Sequence, residues 1–184
     1  MLIATLTAGG STGTQTTLFS NSCFTNPGAA PYNYYEIQIL GLQASANNAY
    51  LYAQFISNTN GNILNDSGYN VEGYSNDSGD NRSFTNNGTT FVIHDPARTG
   101  VNSSASVSAT LTVYDPGNSY AYKNMDVRYY ATEAFNNKGC IVLSSGAYLT
   151  NTSPITGISF AFSNSITITN GTIKIYGFYD TNEA

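Results

Sequence analysis

The sequence predicts an all-β fold, a β-sandwich or jelly roll of roughly nine to eleven antiparallel strands. Three observations carry that expectation. Apolar and polar residues alternate with period two along many short segments. Turn-forming residues interrupt those segments at close intervals. No window sustains the periodicity of an amphipathic helix, and the closest candidate, Thr132 to Lys138, is short and rich in Asn.

The elements follow in order. Leu2 to Leu6 is apolar and β-prone, and the Gly/Ser/Thr stretch Ala8 to Thr16 separates it from the rest, so residues 1–16 read as an N-terminal arm of a single domain spanning 1–184. In Tyr34–Leu40, Tyr35, Ile37 and Ile39 share one face and Glu36 and Gln38 the other. After the polar turn Ala44 to Asn48, Tyr50–Ile56 resumes the pattern, and the two segments read as a hairpin. Asn58 to Asn87 is dominated by Asn, Asp, Ser and Gly, and reads as long loops with at most one short strand. Ser106–Val113 alternates cleanly and stops at Tyr114-Asp115-Pro116-Gly117-Asn118, where Pro116 presets φ and Gly117 tolerates positive φ; Tyr120–Tyr130 then resumes. Ile155–Phe162 is a further strand. Ile166–Thr169 and Thr172–Phe178 flank Asn170-Gly171, the pair favoured in type I′ hairpins, so they read as a closing hairpin with Ile158, Phe160, Ile173 and Ile175 in the core.

Composition narrows the function classes. Charged residues make up 9% of the 184-residue chain, against about 25% in an ordinary soluble domain. Neutral polar side chains must therefore carry solubility, and a surface with few ions loses little on being buried against a partner. The net charge of −5, with no basic patch, disfavours nucleic-acid binding. Cys23 and Cys140 are compatible with one disulfide or two buried thiols, and neither belongs to a zinc-type cluster. The first residues lack the basic and long apolar regions of a signal peptide, and no stretch reaches the roughly eighteen apolar residues of a membrane span. The expectation is a chain made in a cytoplasm and not inserted in a membrane.

No motif assembles a catalytic site, and no enzyme activity, cofactor or metal is expected. His94, the single histidine, would have to be the base of any Ser/His/Asp triad, yet no nucleophile-elbow sequence accompanies it. It reads as a solvated or hydrogen-bonded turn residue, replaceable by Ala at a cost within about 1 kcal/mol. Asp126 and Glu133 are the nearest carboxylate pair in an aromatic stretch, and surface carboxylates are the simpler reading. Asn76-Asp77-Ser78-Gly79-Asp80-Asn81 offers oxygen ligands suited to calcium, but lacks the spacing of an EF-hand loop. Tyrosines gather at Tyr32, Tyr34 and Tyr35 and at Tyr120, Tyr122, Tyr129 and Tyr130, where some line the core and some offer contact area with a polar tip. Sequons such as Asn65-Asp66-Ser67 and Asn151-Thr152-Ser153 are expected by chance in so Asn-rich a chain.

Pro154-Ile155-Thr156-Gly157-Ile158-Ser159-Phe160, followed by Gly171-Thr172-Ile173-Lys174-Ile175-Tyr176-Gly177-Phe178, resembles the closing hairpin of β-sandwich virion proteins of tailed bacteriophages. Tyr34–Leu42 and Ser106–Tyr114 resemble two further strand patterns of those proteins, and the matches touch about a third of the chain. The resemblance implies a virion structural protein, with no functional residue transferable. In that setting the first expectation is a capsid decoration (cement) protein: a homotrimer that binds the major capsid protein and stabilises the assembled shell. The arm Met1–Leu6 would then pair with a neighbouring subunit or the shell rather than with its own sandwich. The alternative is a receptor- or carbohydrate-binding module of a tail or fibre, with a host surface glycan as partner.

Overall fold

A computed structural model describes residues 1–9, 15–24, 32–57, 61–77, 80–95, 100–132, 139–150 and 152–179. Alternating side chains build two antiparallel sheets that press their apolar faces together, and among the described residues there is no α-helix. Twelve strands are present: β1 (Leu2–Ala8), β2 (Thr17–Ser20), β3 (Tyr34–Ala44), β4 (Leu51–Ser57), β5 (Tyr69–Asp77), β6 (Asp80–Gly88), β7 (Phe91–Val92), β8 (Val107–Tyr114), β9 (Lys123–Thr132), β10 (Gly139–Tyr148), β11 (Ile155–Phe162) and β12 (Ile168–Phe178). The larger sheet has eight strands in the order β1-β12-β3-β8-β9-β10-β5-β6; the smaller has four, β2-β11-β4-β7. The expected all-β sandwich is what forms.

The core is the shared inner face. Tyr35, Ile37, Ile39, Leu111, Val113, Tyr129 and Val142 from the larger sheet meet Leu51, Phe55, Ile158, Phe160 and Phe162 from the smaller, and all are essentially inaccessible to solvent. Ile158, Phe160, Ile173 and Ile175 are fully buried, as their alternation predicts. Two of the buried tyrosines, Tyr69 and Tyr148, have partners for their polar tips, whereas the Tyr35 hydroxyl is buried without a hydrogen bond among the described residues. The Tyr69 hydroxyl donates to the Leu64 carbonyl at 3.0 Å and accepts from the Phe55 amide at 2.8 Å. The Tyr148 hydroxyl donates to Asp66 Oδ2 at 2.8 Å.

The pairing partners depart from the sequence reading in four places. β3 and β4 do not form a hairpin: the polar turn carries the chain from the larger sheet to the smaller, with Asn48 at φ 62°. β11 and β12 are likewise split between sheets, and the chain crosses through a 3-10 turn at Ser163–Ser165. Asn170-Gly171 is therefore no hairpin turn. It lies inside β12 as an irregularity in its pairing with β3, and Gly171, at φ 114°, lies against Gly41 and Leu42. A Cβ there would fall 2.6 Å from Leu42 Cα, so the close approach itself calls for glycine.

The Asn-rich region is the third difference. Much of it is the β5–β6 hairpin, two nine-residue strands at the edge of the larger sheet. β10 templates β5 over nine residue pairs, and only Tyr69, Val71, Ser75, Asp77 and Phe84 are buried, so the apolar signal is thin. The fourth concerns the N-terminus. β1 pairs with β12 of its own sandwich, and the Met1 ammonium donates to the Gly177 carbonyl at 2.8 Å. Segment 2–8 is thus an edge strand and not an arm; its apolar residues Ile3, Ala4 and Leu6 pack against the core. The Thr132–Lys138 stretch begins at the end of β9, and residues 133–138 lie outside the described residues, as do 10–14 of the Gly/Ser/Thr stretch.

Candidate binding face

The single histidine lies in the core. His94 follows β7, is fully buried, and its Nδ1 lies 2.9 Å from the Tyr129 hydroxyl, with the Tyr50 and Tyr129 rings packed around it. Asp95 is also fully buried and accepts a 2.5 Å hydrogen bond from Ser75 Oγ. Ser75, His94 and Asp95 thus sit close together, but the hydroxyl serves the carboxylate directly and the imidazole serves a tyrosine. That is not the relay of a hydrolytic triad, and no reagent could reach it from solvent. The surface position expected for His94 is corrected: burial needs the Tyr129 partner, which satisfies one ring nitrogen.

The other candidates disperse. Asp126 stands on the outer face of β9, while Glu133 lies outside the described residues. Within 76–81, Ser78 and Gly79 also lie outside them; Asn76 donates to Asn81, and Asp80 is held by Arg82 at 2.9 Å. Among the described residues no group of three or more His, Cys, Asp or Glu could hold a metal ion. Cys23 and Cys140 are both buried free thiols, and burial pushes the Cys23 thiol up to about 12. The tyrosine set divides: Tyr32, Tyr35 and Tyr129 are core, whereas Tyr120, Tyr122 and Tyr130 are exposed.

Two surface features remain. One is the β8–β9 loop. Asn118 Oδ1 accepts from the Ala121 amide at 3.2 Å and from the Tyr120 amide, and Asn118 Nδ2 donates to Asp115 at 2.7 Å. Lys123, itself 1% exposed, donates from Nζ to the carbonyls of Asn118, Ala121 (2.8 Å) and Thr152 (3.1 Å). A buried lysine thereby fixes a loop whose Tyr120 is 92% exposed.

The other is the outer face of the larger sheet. Register places its outward side chains in rows across the strands. Gln38, Thr110, Arg128, Leu143 and Tyr74 form one; Glu36, Thr112, Asp126, Ser145 and Glu72 form the next; Tyr34, Tyr114, Asn124, Ala147 and Asn70 form a third. The two ends of the face differ. Toward one end Leu40, Tyr130, Ile141, Leu143 and Tyr74 make an apolar patch, each between 44% and 54% exposed. Toward the other lie the carboxylates and carboxamides, and the Tyr114 hydroxyl donates to Asp126 Oδ2 at 2.9 Å, which holds its proton and raises its pKa. Sequence reasoning missed this face because its residues come from strands scattered between positions 34 and 147. Only the inward-outward alternation signalled it.

Compared with known proteins, the chain matches no family model, no curated protein and no solved structure.

Proposed function

We propose that the protein is a capsid decoration protein of a tailed phage, working as a homotrimer that stabilises an assembled shell through surface burial. The observation that supports this best is the apolar end of the outer sheet face. Ile141 lies directly opposite Tyr130, and Leu143 directly opposite Tyr74, so large side chains stand side by side on three neighbouring strands, on the face that carries no second sheet. Contiguous exposed apolar residues of this kind mark protein contact surfaces. The charge content favours the same use: of the two cations in the five strands β3, β8, β9, β10 and β5, Lys123 is buried and only Arg128 stands on the outer face. The similarity of the closing strands to phage virion proteins supplies the setting, and trimers suit the local threefold axes of an icosahedral shell.

The test is a virion map, or immunogold labelling of head against tail, together with the mass of the free protein in solution. Density at shell threefold positions and a trimeric mass are expected. The Ile141→Lys variant should remain folded and lose decoration of bare heads by at least tenfold. A monomer found only on the tail would overturn the reading.

A further inference from the structure

At the end of the outer face away from the apolar patch, the sheet carries a trough of about 400 Å³. Its floor is β10, where Ser145 and Ala147 project only small groups. Its walls are the neighbouring strands. Asn124 and Asp126 of β9 stand on one side, Asn70 and Glu72 of β5 on the other, each pair in register with the same two floor residues. The two walls are two strand spacings apart, about 9.6 Å.

An aromatic run leads up to this trough along the same row. Phe178 of β12 stacks on Tyr34 of β3 with centroids 5.0 Å apart and planes within 5°. Tyr34 pairs with Tyr114 of β8, which pairs with Asn124 at the wall. The Tyr114 hydroxyl, bound to Asp126, fixes an aromatic ring and a carboxylate together at the lip. From β12 to β5 the strip crosses five strand spacings, about 24 Å.

We propose that this strip is a binding site for a neutral oligosaccharide. The chemistry selects the ligand class. Carboxylates accept from hydroxyls, carboxamides both donate and accept, and a tyrosine ring packs against the C–H face of a sugar. Asp126 and Glu72, with no lysine or arginine lining the trough, repel phosphates, acidic sugars and nucleic acid. Leu149, 42% exposed, also lines the trough and offers an apolar contact for a sugar's C–H face, and the small floor residues admit a ring between the polar walls. The centre of the apolar patch, Tyr130 and Ile141, lies four to six residues along the strands, about 13–20 Å away, although its nearest members, Leu143 and Tyr74, stand one outward position, about 7 Å, from Ser145 and Glu72. The inference is therefore independent of the decoration reading: a sugar-binding protein need not sit on a shell, nor a shell protein bind sugar.

The experiment uses the full chain against a panel of immobilised neutral and N-acetylated oligosaccharides, with acidic glycans alongside. Hits are retested in solution by tyrosine fluorescence, with and without chelator. Binding to a neutral or N-acetylated member is expected, unchanged by chelator. Ser145→Tyr, which fills the trough at an exposed strand position, should weaken it at least tenfold, as should Tyr114→Ala. Ser108→Tyr, on the same face but outside the trough, should leave it within twofold. The proposal is overturned if no neutral member binds at millimolar concentration, if only acidic glycans bind, if chelator abolishes binding, or if Ser145→Tyr binds like the parent protein.

Discussion

At the scale of single residues, burial decides what a side chain does. Tyr35, Tyr69 and Tyr148 are each within 1% of complete burial, and burial is the largest cause raising each phenol, to about 12 for Tyr35 and Tyr148. A folded-state pKa above the unfolded value of about 10 stabilises the native state fully below that pH and is lost as pH rises toward the folded pKa. Stability should therefore hold to about pH 10 and fall steeply between there and about pH 12. Absorbance at the phenolate band should show exposed tyrosines ionising first and the buried ones only as the fold is lost. Phe160, fully buried, should cost about 3–5 kcal/mol on substitution by Ala, measured by denaturant unfolding. His94→Ala belongs with it. It removes a buried ring together with its hydrogen bond to the Tyr129 hydroxyl, so a loss of about 2–4 kcal/mol is expected in place of a neutral effect.

At the scale of elements, the faces were legible in the sequence and the partners were not. Period-two alternation says which side of a strand is buried: Tyr35, Ile37 and Ile39 point in, Glu36 and Gln38 out. It says nothing about which sheet the next strand joins, so the first expected hairpin, 34–40 with 50–56, is in fact a change of sheet, and the second, 166–169 with 172–178, is in fact the single strand β12. Asn170-Gly171 satisfies the local chemistry of a turn equally well inside a strand, where a neighbouring backbone presses close. Gly171→Ala should accordingly cost about 2 kcal/mol or more through strain and contact with Leu42. A loss under about 0.5 kcal/mol in chemical denaturation would show that the irregularity relaxes freely. The Asp115-Pro116-Gly117 turn, by contrast, does join paired strands, β8 and β9. There the expected turn joins the pairing strands, although the positive φ falls on Asp115, at 42°, and not on Gly117.

At the scale of the whole molecule, the sandwich was legible and the candidate site was not. Asp126 stood out as a carboxylate in an aromatic stretch and Tyr114 only as the start of a turn, but the trough exists only because β9, β10 and β5 align over nine or more residues, and no single stretch of sequence encodes that register. Deleting Met1–Thr7 tests the integration of β1. Since β1 completes an edge of the larger sheet, the truncated protein should unfold at a measurably lower temperature even at dilutions where any oligomer has dissociated. Unchanged monomer stability would return the segment to the status of an arm.

The position of the last two strands also sets the order in which the protein can form. β12 lies between β1 and β3, and β11 between β2 and β4, so the first strands of both sheets have no neighbour until the final residues arrive. Emerging from a ribosome, the chain would carry β1 and β2 unpaired, and β3 and β4 each with one edge vacant, until β12 and β11 arrive, while the β8–β9–β10 meander assembles from local contacts. Closure then joins segments separated by nearly the whole chain, which makes folding slow, on a scale of milliseconds to seconds. Until then the waiting edges are open to strands of neighbouring nascent chains, so crowding on a polysome, rather than the stability of the finished sandwich, would limit the yield of correctly folded protein.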